Sequence, residues 1–169
     1  ITYKLLEEQY KNSNTNIYVG GNIGTPLLSK VGDMTDRDIC VLELSSFQLH
    51  TMSKSSDVAV ITNMSPNHLD VHKSYEEYID AKKNIMLYQG KDDKLITNFS
   101  NEEAHKIGKE AKGKLVEFSS KKEADICLKD GKIMRWGECV LDISSIKIPG
   151  MHNVENYMAA ILATYDFVN

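Results

Sequence analysis

An alternation of element types constrains this chain most. The apolar runs NIYVGG, DICVLEL, DVAVITN, KLITNF and KLVEFS are short and rich in β-branched residues, as strands are. The stretches SYEEYIDAKKNIMLY and NEEAHKIGKEAK separate the later runs and carry a helical rhythm. A helix between two strands returns the chain to the same end of the sheet, so the neighbouring strands run parallel. The expected fold class is therefore α/β, a mostly parallel sheet flanked by helices. DICVLEL is apolar almost throughout and predicts a strand buried on both faces. Ser74 predicts the cap of the SYEEY helix, with Glu77 at the capping-box position and Tyr75, Tyr78, Ile79, Ile85 and Met86 forming its apolar side. From residue 123 to 148 the runs shorten, and Asp130-Gly131 is a strong hairpin signal. This stretch is expected to be a small antiparallel β attachment within one domain spanning 1–169.

Composition narrows the function. With 169 residues, 41% of them hydrophobic and 26% charged, one domain can bury a sizeable core. A net charge of -4 without a Lys/Arg stripe gives no counterion-release footprint, so no nucleic acid is expected as a partner. No apolar stretch reaches the roughly 18 to 20 residues that span a bilayer, and no signal segment opens the chain, so no membrane association is expected. Cys40, Cys127 and Cys139 are odd in number and lack CxxC spacing, which predicts buried reduced thiols and a cytoplasmic setting. The chain opens without methionine, already in helical rhythm at Ile1, Leu5, Leu6 and Tyr10, and closes inside the helical run HNVENYMAAILATYDFVN. Both ends predict a segment of a longer protein.

Functional residues of an open parallel sheet gather beyond the carboxyl ends of its strands. Here those ends are GGNIGTP, ELSSFQ and TNMSPNHLD. Glu43 stands inside an apolar run, where burial costs roughly several kcal/mol unless a partner, a proton or a metal ion compensates. Asn63, His68, Asp70 and His72 follow another strand and can meet Glu43 along one sheet edge. A hard cation such as Mg²⁺ would satisfy Glu43. Equally, Glu43 can accept backbone or lysine hydrogen bonds at a strand end, with His68 an ordinary loop histidine. The glycines of GGNIGTP allow a sharp turn or a close ligand, but the segment is not GxGxxG. No GxxxxGK[ST] loop is present, since Gly90, Gly108, Gly113 and Gly131 precede lysine without a following Ser or Thr. Asn153 and Asn156, three residues apart, can hydrogen-bond a planar base or cap their helix, and Lys82 and Lys83 read in isolation as solvated lysines. His68, Asp70 and His72 in the form HxDxH also suit a zinc or manganese hydrolase, but no second histidine-rich cluster follows, because His105 lies in a polar helix and His50 stands alone.

Taken in order, GGNIGTP, LELSSFQL, TNMSPNHLDVHKSYEEYIDAKKNI and PGMHNVENYMAA resemble the central ATPase domain of the Mur ligase family. The pairing of GNIG with ELSSFQL resembles its D-glutamate-adding branch. The resemblance implies a P-loop NTPase-like fold, ATP and Mg²⁺ as cofactors, and ligation of D-glutamate to UDP-N-acetylmuramoyl-L-alanine for peptidoglycan synthesis by a monomeric protein. By the same resemblance Glu43 holds a magnesium near the ATP phosphates, His68 is a ligand of a second magnesium, and Lys82 is the lysine carbamylated in the family. Asn22, Ser45, Ser46 and Gln48 face the UDP-linked substrate, and Asn153 and Asn156 bind adenine. It also implies that the family's phosphate loop ends just before a helix like ITYKLLEEQY, and that the flanking domains lie outside this sequence, so the segment alone does not turn over ATP. Two rival readings are the HxDxH hydrolase and a non-catalytic nucleotide-binding module of the same fold.

Overall fold

A computed structural model describes residues 1–65 and 72–168. The expected alternation is realised as helices α1 (Thr2–Tyr10), α2 (Ser46–His50), α3 (Tyr75–Lys83), α4 (Glu102–Gly108) and α5 (Met151–Thr164) among eight strands in the described residues. Strands β3 (Val58–Ile61), β4 (Lys94–Asn98), β5 (Lys114–Ser119) and β6 (Ile126–Lys129) lie side by side and parallel. β7 (Lys132–Arg135) and β8 (Glu138–Asp142) continue the same sheet antiparallel. The hairpin region is thus the outer part of the main sheet. β1 (Ile17–Gly21) and β2 (Ile39–Glu43) form a separate parallel pair.

Side-chain alternation along β4 builds two cores. Leu95 packs with Ala59 and Ile61 of β3 against Tyr78 of α3 and Ala104 and Ile107 of α4. Ile96 points the other way, with Val116, Phe118, Ile126 and Ile133, against Val154, Met158, Ala159 and Leu162 of α5. The result is a three-layer stack of helix, sheet and helix. α1 packs on β1 and α5, burying Leu6.

Two expectations need correction. The strand buried on both faces is β4, where every residue is buried, and not DICVLEL, whose β2 leaves Cys40, Leu42 and Glu43 exposed. Its apolar run is explained by a two-stranded sheet whose faces are only partly covered. The thiols are free, as expected, yet none is buried: Cys40 and Cys139 are exposed and Cys127 is half-buried. Cys139 is exposed because β8 is an edge strand.

Local signals mostly hold. Ser74 Oγ accepts the Glu77 amide at 3.2 Å, while the Glu77 carboxylate accepts from Lys73 N at 2.5 Å, one residue further back than a capping box requires. Asp130 (φ 48) and Gly131 (φ 73) form the primed turn between β6 and β7. A second such turn, Trp136 (φ 48) and Gly137 (φ 88), joins β7 to β8 without a usual turn dipeptide. The Trp136 ring lies over the Arg135 guanidinium at 3.8 Å, a stacking contact that accompanies the unfavourable backbone angle. No helix in the described residues is long and apolar enough to cross a membrane.

Where β1 ends, Gly21 sits opposite Glu43 with φ 111, and a Cβ there would lie 2.2 Å from the Glu43 carbonyl oxygen. Gly21→Ala is therefore expected to destabilise the domain by more than the roughly 1 kcal/mol of an ordinary glycine replacement. Phe118→Ala, emptying a fully buried site, should cost about 3–5 kcal/mol. Urea unfolding of each variant checks both, and a midpoint matching the parent chain would contradict the assignment.

Candidate active site

The glycine turn brings two chain segments together. Gly20 is as constrained as Gly21, since a Cβ would meet Leu27 Cγ at 2.7 Å and the Thr25 carbonyl oxygen at 2.8 Å. The backbone can then double back, and the Asn22 amide donates to the Glu43 carbonyl at 2.7 Å. Asn22 and Glu43 thus stand side by side at the carboxyl ends of β1 and β2. Glu43 is exposed, so the buried carboxylate expected from its apolar run does not occur. Among the described residues its carboxylate has no hydrogen-bond partner. Solvent exposure removes the desolvation problem and leaves both oxygens available to a ligand.

Lys82 approaches from α3. It is half-buried, not the solvated lysine its helical position suggests, and its Nζ donates to the Leu44 carbonyl at 3.4 Å. The Tyr78 ring lies 5.9 Å from the same ammonium. Burial disfavours the charged form and holds the Lys82 pKa below the usual lysine value, while the Glu43 carboxylate opposes the shift. Glu43 and Lys82 are therefore within electrostatic reach of one another. Lys83, next along the helix, pairs with Glu110 at 2.7 Å.

The segment SSFQL after β2 forms α2, a short helix. Ser45 caps it, its Oγ accepting the Gln48 amide at 3.3 Å, and Gln48 Oε1 accepts from both the amide and the hydroxyl of Ser45 at 3.0 Å. This reciprocal capping box was legible in the sequence as S-x-x-Q, but ELSSFQ read only as a strand end. Ser46 is buried, with its Oγ 2.9 Å from His72 Nε2. The His72 ring, also buried, stacks on Phe47 at 5.2 Å and 11° and meets Tyr78 edge-on at 5.5 Å and 73°. No sequence pattern singled out this Ser46–His72 contact.

Of the HxDxH residues, His68 and Asp70 lie outside the described residues. His72, as placed, is enclosed by aromatic rings and a serine. Among the described residues no group of three or more His, Cys, Asp or Glu side chains is gathered as a metal cluster. Asn63, at the end of β3, receives a hydrogen bond from the Asn101 side chain. Asn101 Oδ1 in turn accepts the amides of Met64 at 3.3 Å and Ala104 at 2.9 Å, tying that strand end to the start of α4.

At the start of α5, Gly150 takes φ 106 and no side chain caps the helix. Asn153 instead donates its side-chain amide to the Pro149 carbonyl at 2.7 Å and lies 3.2 Å from His152 Nε2. Capping, the simpler reading of this asparagine, is thus not its role. Asn156 is exposed one turn on. Beside them Ile146, Ile148, Pro149, Met151 and Val154 line an apolar groove, a surface suited to a flat ring.

Comparison with known proteins supplies the context. The chain is 53% identical over its whole length to the UDP-N-acetylmuramoylalanine--D-glutamate ligases of Clostridium perfringens and Acetivibrio thermocellus, covering 36% and 37% of those proteins. The corresponding ligase of Clostridium beijerinckii is 54% identical over the whole chain and is covered over 36% of its length. The chain therefore spans about a third of the length of the curated relatives it matches. Among solved structures, the MurF ligase from Thermotoga maritima in complex with ADP superposes with a TM-score of 0.63 at 16% identity, covering 98% of this chain and 42% of that one. That likeness concerns the fold. The model of the Mur ligase middle domain matches residues 1–164, and with the strand ends, glycine turn and helices arranged as described, the chain belongs to that family.

Proposed function

We propose that this chain is the ATP-handling domain of a ligase that joins D-glutamate to the carboxylate of UDP-N-acetylmuramoyl-L-alanine. The observation that carries the reading is the meeting of an unpartnered Glu43 carboxylate with the half-buried Lys82 amine at the end of β2, beside Asn22. Relatives near half identity that bear the D-glutamate ligase name support the choice of amino acid.

The residues fit a magnesium site. Glu43, whose carboxylate has no hydrogen-bond partner among the described residues, is the proposed ligand of one magnesium near the ATP phosphates, and His68 is the proposed imidazole ligand of a second. Lys82 as an ammonium would repel a cation, but as a carbamate it would present an anionic oxygen. Carbamate formation needs the neutral amine, which adds to CO₂ and releases a proton, so the burial that lowers the Lys82 pKa favours the modification. When bound, Mg²⁺ would neutralise charge on the transferring phosphoryl group.

The chain's own residues divide the remaining work. Asn22, Ser45 and Gln48 border the strand ends where the UDP-linked carboxylate would lie, with Ser46 behind them. Asn153 and Asn156, on the helix whose Met151 and Val154 help line the apolar groove, are the proposed adenine-binding pair. The substrate carboxylate attacks the γ-phosphorus of ATP and ADP leaves. The amine of D-glutamate then attacks the acyl phosphate carbon, and the tetrahedral adduct collapses to amide and phosphate. Positioning and electrostatics supply most of the acceleration. The nucleotide-linked substrate suits a cytoplasmic protein, and a monomer suffices for this site. Enclosure of His72 between Phe47 and Tyr78 counts against the HxDxH hydrolase.

Two measurements check the proposal. The intact protein containing this domain should release phosphate from ATP with UDP-N-acetylmuramoyl-L-alanine only when D-glutamate is added, not L-glutamate, L-alanine or L-lysine, and Glu43→Gln should lower kcat about a hundredfold or more. Stimulation by a different amino acid would move the protein to another branch of the family. Lys82, labelled by ¹³C-methylation, should titrate below the usual value of about 10.4, and ¹³C-bicarbonate should give a carbamate NMR signal that Lys82→Arg abolishes. An ordinary lysine titration together with no carbamate signal would remove Lys82 from the site.

A further inference from the structure

Among the described residues, His72 touches α2, which follows the strand carrying Glu43, and α3, which carries Lys82. Ser46 and Phe47 belong to α2, three and four residues after Glu43, and Tyr78 is one helical turn before Lys82 on α3. His72 Nε2 is 2.9 Å from Ser46 Oγ, and its ring is clamped between Phe47 and Tyr78. The Lys82 ammonium lies over that same Tyr78 ring and donates to Leu44, the residue after Glu43. Along the chain, His72 comes four residues after His68. A buried histidine in a hydrogen bond fixes orientation as well as distance, which a purely apolar contact does not.

Building on the magnesium-site reading above, we infer that His72 is a positioning residue: through Ser46, Phe47 and Tyr78 it locks the segment just after Glu43 against the helix bearing Lys82, and so fixes the relative placement of the proposed metal-site groups. The polar half of this clasp is the Ser46–His72 hydrogen bond and the apolar half is the pair of ring contacts. Side chains that orient metal ligands commonly change affinity by about 10–100-fold when removed, without touching the ion. His72 takes no part in the chemical steps. Its contribution is to hold the segment after Glu43 and the helix of Lys82 in place for the metal to bind.

The two halves of the clasp can be separated in the intact ligase. His72→Phe preserves an aromatic ring between Phe47 and Tyr78 but removes the hydrogen bond, whereas His72→Gln keeps an amide that can reach Ser46. Mn²⁺ affinity, read by electron paramagnetic resonance with a non-hydrolysable ATP analogue bound, should weaken about tenfold in His72→Phe and recover most of that loss in His72→Gln. The Mg²⁺ concentration for half-maximal phosphate release should shift in parallel, with the KM for D-glutamate unchanged. Parent-like Mn²⁺ affinity in His72→Phe would overturn the inference. So would equal weakening in both variants in step with their melting temperatures, the pattern of a residue that only packs. The parent protein's own D-glutamate-dependent turnover tests the ligase reading independently, because the Mn²⁺ measurement does not need turnover.

Discussion

Strand β4 is the element on which the other layers depend. Burying it on both faces requires its charged first residue, Lys94, to be satisfied inside the protein. Lys94 Nζ donates to the Leu162 carbonyl at 3.1 Å and to Asp166 Oδ2 at 2.6 Å, where α5 ends. A cation beside the carbonyl end of a helix meets the negative end of its dipole, so one side chain both compensates its own burial and closes α5. Asp166 responds in kind: the Lys94 hydrogen bond holds its carboxyl below the usual carboxylate range. The amino end of the central strand and the carboxyl end of the covering helix are fastened together.

At the other end of the sheet the fastening is by neutral and mixed contacts. Thr97 Oγ1 and His105 Nδ1 both lie 2.9 Å from Glu117 Oε1, joining β4, β5 and α4. Gly108 lets that helix approach closely, since a Cβ would sit 2.9 Å from Thr97 Oγ1. Glu155 of α5 accepts from Ser120 at 2.6 Å and from Asn98 at 3.4 Å, which sets the height of the helix whose first two turns carry Asn153 and Asn156. The proposed adenine groove and the strand ends are thus held to one rigid frame, while Glu43 and Lys82 are brought together by shorter-range contacts through α2 and α3.

The sequence disclosed what depends on periodicity and turn chemistry. Alternating strands and helices, the Asp130-Gly131 turn and the Ser74 cap are local properties, and each is present. It did not disclose burial. DICVLEL and KLITN look alike as strings, yet the first is a half-covered pair partner and the second the centre of the sheet, because layer coverage is a tertiary fact. The same limit applies at the site. Family resemblance pointed to Glu43 and Lys82, but the half-burial of Lys82 that lowers its pKa is set by the packing of α3 against the chain after β2, which no local pattern discloses. The Ser46–His72 pair joins residues 26 apart, a separation no spacing rule addresses.

The proposed chemistry gives half-burial of Lys82 a physical logic. Full burial would neutralise the amine most effectively but would shut out CO₂ and any cation, whereas full exposure would leave its pKa at about 10.4 and keep it an unreactive ammonium at neutral pH. Glu43 pulls the other way, favouring the ammonium, so the free amine is poised between the two influences. Conversion to a carbamate reverses the sign of this pair, from attraction between a cation and a carboxylate to repulsion between two anions. In the proposed site, a bound divalent cation would offset that repulsion, so the modification and the metal would each stabilise the other. The proposed site would then have two self-consistent states on one backbone, a half-buried amine near the Glu43 carboxylate without metal and a carbamate with metal.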